Sequence, residues 1–451
     1  MKKIILLTLF ITHLSVNFLT AQYIVKDQIF SANSVTNEGK VSGYAAQAGP
    51  YGIWLPDSGN SVLDIAGIAP GNNVGGQARF SNDGNFICGT SSGAAGAEMA
   101  KYDRSTDQWT TLGYLGSVVG NSVSGGFAIS GDGNTVSGNS WLYSSTGIAY
   151  TDAVAYNPTE ALLDLGSLYG DSGKSTRANA VNYDGSVIVG WQDFNGPWKS
   201  AVWRKNPSGG YFPNEYILID TNASATDEYN QMGECSAVSA DGEWIGGYGD
   251  YANNNEPWIW NKDSGVINLG TFPNVGNGFV SGMSADASVV VGWFDGQLFG
   301  DPQTPFIWTR VGGLQELNGY IVNVLGFPTN THQVYTADCI SPDGNFIAGY
   351  GVDTSTFMYF VYRVNIGGTS GLQSIVDRVQ IKVFPNPTTG QITIVNNNKS
   401  VLTLYSMEGK IIYKSEINGT KELNLSSYAS GVYSLSIQTG NSIKYQKVVK
   451  N

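Results

Sequence analysis

Four aromatic residues in this chain, each directly after a glycine, are followed two or three places on by an aspartate. The pairs are Trp191 with Asp193, Tyr248 with Asp250, Trp293 with Asp295 and Tyr350 with Asp353. Tyr44 holds the same place in an earlier segment, without the acid. In an extended strand, residues two apart share a face, so ring and carboxylate would stand together. Rings beside carboxylates suit the C–H faces and hydroxyls of sugars. Carboxylates beside loop carbonyls would instead suit calcium, the one cofactor these residues suggest. The competing reading is structural, because an aspartate in such a loop can hold a turn by accepting backbone N–H groups. These eight residues form the candidate ligand site.

Other chemistry is scarce. Outside the first 21 residues the only histidine is His332, so multi-histidine metal sites are excluded. A Ser–His–Asp or Cys–His site would have to use His332, and no nucleophile motif adjoins it. It reads as an exposed loop residue. Acids are plentiful, which leaves two-carboxylate glycosidase chemistry open, but residue spacing cannot give their separation. Cys88, Cys235 and Cys339 are an odd number on non-adjacent segments and read as buried small apolar residues.

The elements that must position the aromatic–acid pairs are hairpins. Cys339 to Tyr350 reads strand, tight turn, strand, with Pro342 and Asp343 in the turn and Gly344 able to take left-handed geometry. Equivalent turns close at Gly39, Gly84, Gly133, Gly185, Gly242 and Ala287, giving seven copies 45 to 57 residues apart. Short strands at that period predict an all-β chain, a seven-bladed β-propeller with one four-stranded blade per copy. Ala287 predicts a sixth hairpin that is distorted or uses another turn, since left-handed geometry costs a non-glycine residue about 1–2 kcal/mol. A third strand ends on Trp54, Tyr102, Tyr156, Trp203, Trp260, Trp308 or Tyr362, each read as core between blades. The ring can close through Leu372 to Ile375 or through Tyr23 to Val25.

Composition agrees with many turns and few helices: glycine is 58 of 451 residues and charged residues are 13%. Lys2 and Lys3, an apolar run from Ile4 to Phe10 and a Thr-Ala-Gln ending predict a signal peptide over 1–21, cut after Ala21. No other stretch is long and apolar enough to span a bilayer, so no transmembrane segment is expected.

The repeat unit itself resembles a known family. Ala-x-Ser-x-Asp-Gly, a strand ending in glycine, an apolar-Trp strand and Asp164 to Leu168 are similar to extracellular HAF-type repeats, and the hairpin is similar to that of WD40 blades. The resemblance implies an exported propeller and assigns no catalytic residue. The His-Ala-Phe triplet is missing, Thr304 to Trp308 being its nearest counterpart.

After Gly367 to Gly371 the repeat stops. Val383-Phe384-Pro385-Asn386-Pro387 opens a different module, followed by Gly409-Lys410, Gly431-Val432-Tyr433 and the lysine-bearing Lys444 to Lys450. Together these resemble the C-terminal sorting domain (type A) of the Bacteroidetes type IX secretion system. That resemblance implies a small β-sandwich over 379–451 that engages the type IX machinery. It further implies periplasmic transit and release or display at the outer-membrane surface. The propeller then spans 22–378.

Eight Lys against three Glu give residues 379–451 a net +5; with +2 on the leader, the total of −12 leaves −19 on 22–378. A domain of that charge repels nucleic acid and other polyanions. The sequence therefore predicts an exported binding or adhesion module for glycan or protein. The alternatives are a carboxylate-dependent carbohydrate-active enzyme and a structural envelope or matrix protein.

Overall fold

The computed structural model describes residues 23–27, 31–45, 49–71, 73–116, 121–168, 173–193, 198–218, 230–249, 256–298, 300–367, 382–406, 410–439 and 442–451. Two compact units divide the chain, 1–368 and 369–451.

In the first unit the described residues form seven antiparallel sheets, one per turn glycine or its Ala287 counterpart. The first is typical: Ser31–Val35, Val41–Tyr44, Tyr51–Leu55 and Ser61–Asp64 pair in chain order. The fourth has only three regular strands, Thr176–Val181, Val187–Asp193 and Trp198–Arg204. Each inner strand packs on the next sheet, and Ser31–Val35 packs on Phe346–Asp353 of the seventh, so the ring is closed. This is a β-propeller.

The closing strand comes from the N-terminus. Tyr23–Lys26 lies antiparallel to Met358–Asn365, with Val25 opposite Tyr362. The other candidate for this place, Leu372 to Ile375, lies outside the described residues. Asn60 of the first blade ties the seam by donating its Nδ2 to Val25 O at 3.0 Å.

Each turn is held by its own side chains. In five blades the serine hydroxyl donates to the aspartate, as from Ser81 to Asp83 and Ser341 to Asp343, both at 2.6 Å. The same aspartate accepts the N–H two residues on, at 3.0 Å from Asn85 and from Asn345. The sixth hairpin is not distorted, contrary to expectation. Ala287 takes a φ of 51° and donates to Ser284 O at 2.9 Å, as the glycines do, because Ser284 and Asp286 fasten the turn around it.

Five inner strands shift register at one place, and the residues in the shifts are Asn33, Phe127, Asn179, Ser236 and Ser281. Four of them hydrogen-bond forward to the next blade. Asn33 Oδ1 accepts from Ala78 N–H at 3.2 Å, and Asn179 Nδ2 donates to Cys235 O at 2.8 Å. Ser236 Oγ donates to Val280 O at 2.5 Å, and Ser281 Oγ donates to Ala337 O.

Trp54, Tyr102, Trp203 and Tyr362 are buried between blades as expected. Trp260 and Trp308 are only half-buried. The fully buried ring of the fifth blade is Trp258, which points to the same side of the sheet two residues earlier. The three cysteines are buried and free.

In the second unit five strands form one sheet. Its longest strand, Gln391–Tyr405, shifts register between Asn396 and Ser400. Residues from both halves, among them Ile392, Leu402, Leu435 and Val448, share one core.

Candidate functional site

Each blade has two ends. The first-to-second and third-to-fourth strand turns lie at one; the second-to-third loops and the crossings between blades lie at the other. Most large apolar side chains that the propeller exposes are at the second end, including Tyr143, Ile148, Trp198, Leu298, Phe357 and Tyr359. That end also receives the aromatic–acid pairs.

Trp191 ends up 6% exposed in the fourth blade, with Trp198 stacked on it at 4.5 Å between centroids and 10° between planes. Trp198 is itself 45% exposed, so one indole face is backed by a buried ring and the other is open. The Arg177 guanidinium approaches the Trp191 ring at 5.4 Å and the Phe127 ring at 4.7 Å. Its Nη2 lies 3.4 Å from Glu234 Oε1, and its Nε donates to Asn179 Oδ1 at 2.8 Å. Asn179 Nδ2 donates to Glu234 Oε1 at 2.6 Å, and Tyr248 OH donates to Glu234 Oε2 at 3.0 Å. The Tyr248 ring meets Phe279 at 4.5 Å, and Phe279 stacks on Trp293 at 4.4 Å. Trp198, Trp191, Arg177, Glu234, Tyr248, Phe279 and Trp293 therefore make one continuous chain of contacts across blades four to six.

Burial raises the Glu234 carboxyl above its ordinary range, against the lowering pull of Arg177. Burial likewise pushes the Tyr248 phenol up. The cluster is thus a charge pair with a buried carboxylate, hydrogen-bonded by Asn179 and Tyr248 and flanked by rings.

Three of the four predicted aromatics join this cluster; of their aspartates, neither Asp193 nor Asp295 supplies its carboxylate, which is that of Glu234. Asp193 anchors its strand through its N–H to Ser175 O at 2.8 Å. Asp295 is pushed up by burial alone. Asp250 lies outside the described residues. Tyr350 stands apart in the seventh blade, near Tyr335 and Tyr359, with its hydroxyl on Gln303 and burial pushing it up to about 12. Asp353 follows the turn-holding alternative: it accepts from Ser355 Oγ at 2.6 Å and Ser355 N–H at 2.8 Å, which hold it down to about 2.

The sequence reading missed Arg177, Glu234 and Phe279. All three stand eight residues before the turn position of their blades, where the other four blades carry Ser31, Gly76, Gly125 and Thr336. Large side chains in that one column mark blades four to six.

His332 is not in an open loop. It lies on the short strand His332–Val334, its ring 4.7 Å from Phe360 and its Nε2 4.0 Å from Asp353 Oδ2. A cleft of about 450 Å³ beside it is lined by Gln303, Glu316, Asn318 and Thr354. Among the described residues no group of three or more His, Cys, Asp and Glu is placed to hold a metal ion.

The first unit is by its own ring of sheets a β-propeller, and solved structures of similar outline include three at low identity. TolB from Acinetobacter baumannii is 13% identical with a TM-score of 0.37, covering 64% of this chain and 60% of its own. Oligogalacturonate lyase from Vibrio parahaemolyticus is 13% identical with a TM-score of 0.45, covering 76% of this chain and 91% of its own. Hydrazine synthase from Kuenenia stuttgartiensis is 13% identical with a TM-score of 0.42, covering 74% of this chain and 96% of its own. This chain spans about three-fifths of the TolB chain. No curated protein matches it.

Residues 382–451 match the family described as the secretion system C-terminal sorting domain. The protein is accordingly a type IX export substrate, secreted or held at the cell surface, and its C-terminal domain engages that machinery. Among the described residues no helix is long and apolar enough to cross a membrane.

Proposed function

We propose that the exported propeller is a binding module whose long-loop face takes a neutral glycan or a glycan-bearing protein surface. The observation that carries this reading is the parallel Trp191–Trp198 stack. A half-exposed indole held flat against a buried one has lost its rotational freedom before any ligand arrives, so little ordering cost remains on binding. Behind it, the Arg177–Glu234–Asn179 network keeps the platform fixed. A sugar ring fits the open indole face through its C–H groups, and hydroxyls fit the surrounding donors and acceptors. The net −19 on residues 22–378 favours uncharged over polyanionic partners.

Export follows from the same proposal. Residues 1–21 act as a cleaved signal peptide, in a bacterium of the Bacteroidetes type, and the sorting domain carries the folded propeller across the outer membrane. N-terminal sequencing of the exported protein should begin at Gln22, and deletion of 379–451 should hold the propeller in the periplasm. For the ligand, the full mature chain is screened on a glycan array. Binding to neutral glycans, lost in Trp198→Ala with folding intact, is the expected outcome. Binding that ignores Trp198, or only acidic glycans bound, would sink the assignment.

A further inference from the structure

One residue on each inner strand stands five places before the turn glycine, or before Ala287 in the sixth blade, and all seven line a single cavity in the central channel. Six are small: Ser34, Ala128, Ala180, Ala237, Gly282 and Cys339. The seventh is Arg79. Its side chain reaches from the second blade to the fourth, where Nη1 donates to Asn179 O at 3.2 Å. Its Nε is buried and has no partner among the described residues. None of the ion pairs among the described residues includes it. The nearby charged side chain Arg177 is another cation, and its counter-charge Glu234 is already shared with Asn179 and Tyr248.

A lysine in this position could release its proton and become neutral. A guanidinium cannot, so a buried Nε with no partner among the described residues calls for an anion or for water. The free volume beside it is about 160 Å³, room for several waters or one small ion. It extends toward the glycine-turn mouth, past Asn82, Tyr183 and Ala240, and the rest of its lining is neutral. The forked guanidinium matches two oxygens of one ligand.

We propose that this channel binds one small oxyanion, a carboxylate or a tetrahedral inorganic anion, on Arg79. The site is separate from the long-loop face and opens at the opposite end of the blades. It stands independently of the glycan reading.

The test uses the full chain in thermal unfolding, with phosphate, sulfate or acetate exchanged against chloride at constant ionic strength. A saturable rise in Tm of about 3 °C or more is expected for at least one oxyanion. Acetate acting as well as phosphate would name the carboxylate as the ligand; phosphate or sulfate acting alone would name the tetrahedral anion. Arg79→Met, of similar length and uncharged, should abolish the rise. Should that variant fail to fold, crystals of the unaltered protein grown in selenate should show one selenium peak within hydrogen-bond distance of Arg79. No oxyanion response in the unaltered protein, an equal response in Arg79→Met, or a channel empty of selenate would each overturn the proposal.

Discussion

Arg363 and Asp57 meet across the seam where the ring closes, Nη2 donating to Oδ1 at 3.0 Å between residues 306 apart in sequence. The guanidinium is 1% exposed and the carboxylate 50%. Arg363 also donates to Gly39 O at 3.3 Å and lies 4.9 Å from the Phe346 ring.

Asp57→Ala should therefore leave a buried cation short of its partner. Complete burial of both charges would put the cost near 3–5 kcal/mol; the exposed carboxylate reduces it to about 1–3 kcal/mol. Denaturant unfolding measures this directly. A change under about 0.3 kcal/mol would show that the seam does not depend on the pair.

The two stacked indoles should separate by readout. Trp191→Ala removes a buried ring and should cost about 3–5 kcal/mol of stability. Trp198→Ala should leave stability within about 1 kcal/mol and weaken glycan binding by roughly tenfold or more. Paired unfolding and binding titrations of both variants provide the comparison.

In the fifth blade Trp258, not Trp260, should dominate. Trp258→Ala should cost about 3–5 kcal/mol, and Trp260→Ala clearly less, because part of that ring is already in water. Equal losses would mean that burial does not rank them.

Asp152 gives the fold a pH dependence. Burial, with a smaller contribution from Asp164, pushes its carboxyl up to about 7, and its Oδ1 has no hydrogen-bond partner among the described residues. The folded state thus holds a proton that the unfolded state releases near pH 4. Between about pH 4 and 7 the folded state binds more protons, so stability falls as pH rises. Asp152→Asn should reduce that slope and be more stable than the parent at pH 8 by an amount on the order of 1–2 kcal/mol. Parallel stability–pH profiles would refute the assignment.

The seven turns were legible because each is a local event: four consecutive residues carry both the geometry and the side chains that hold it. Ring closure was not, since Tyr23 to Val25 and Leu372 to Ile375 are both plausible strands and their partner is remote. Depth along a strand was also misjudged at Trp258 and Trp260, where alternate positions share a face and only packing distinguishes them. The site was half legible. Trp191, Tyr248 and Trp293 directly follow glycines at one repeat position and stand out, whereas Glu234 immediately precedes an inner strand and meets Arg177 only because neighbouring blades abut. Comparing the repeats column by column would have exposed it.

The N-terminal strand has a consequence for timing. Tyr23–Lys26 finds its place only against Met358–Asn365, so a chain made from its first residue carries that strand unpaired until the last blade has followed. Closure is then one late event of high sequence separation, slow by its topology. Until it happens the seventh sheet lacks its outer strand. Once it happens, neither end of the propeller can peel away without opening the seventh sheet.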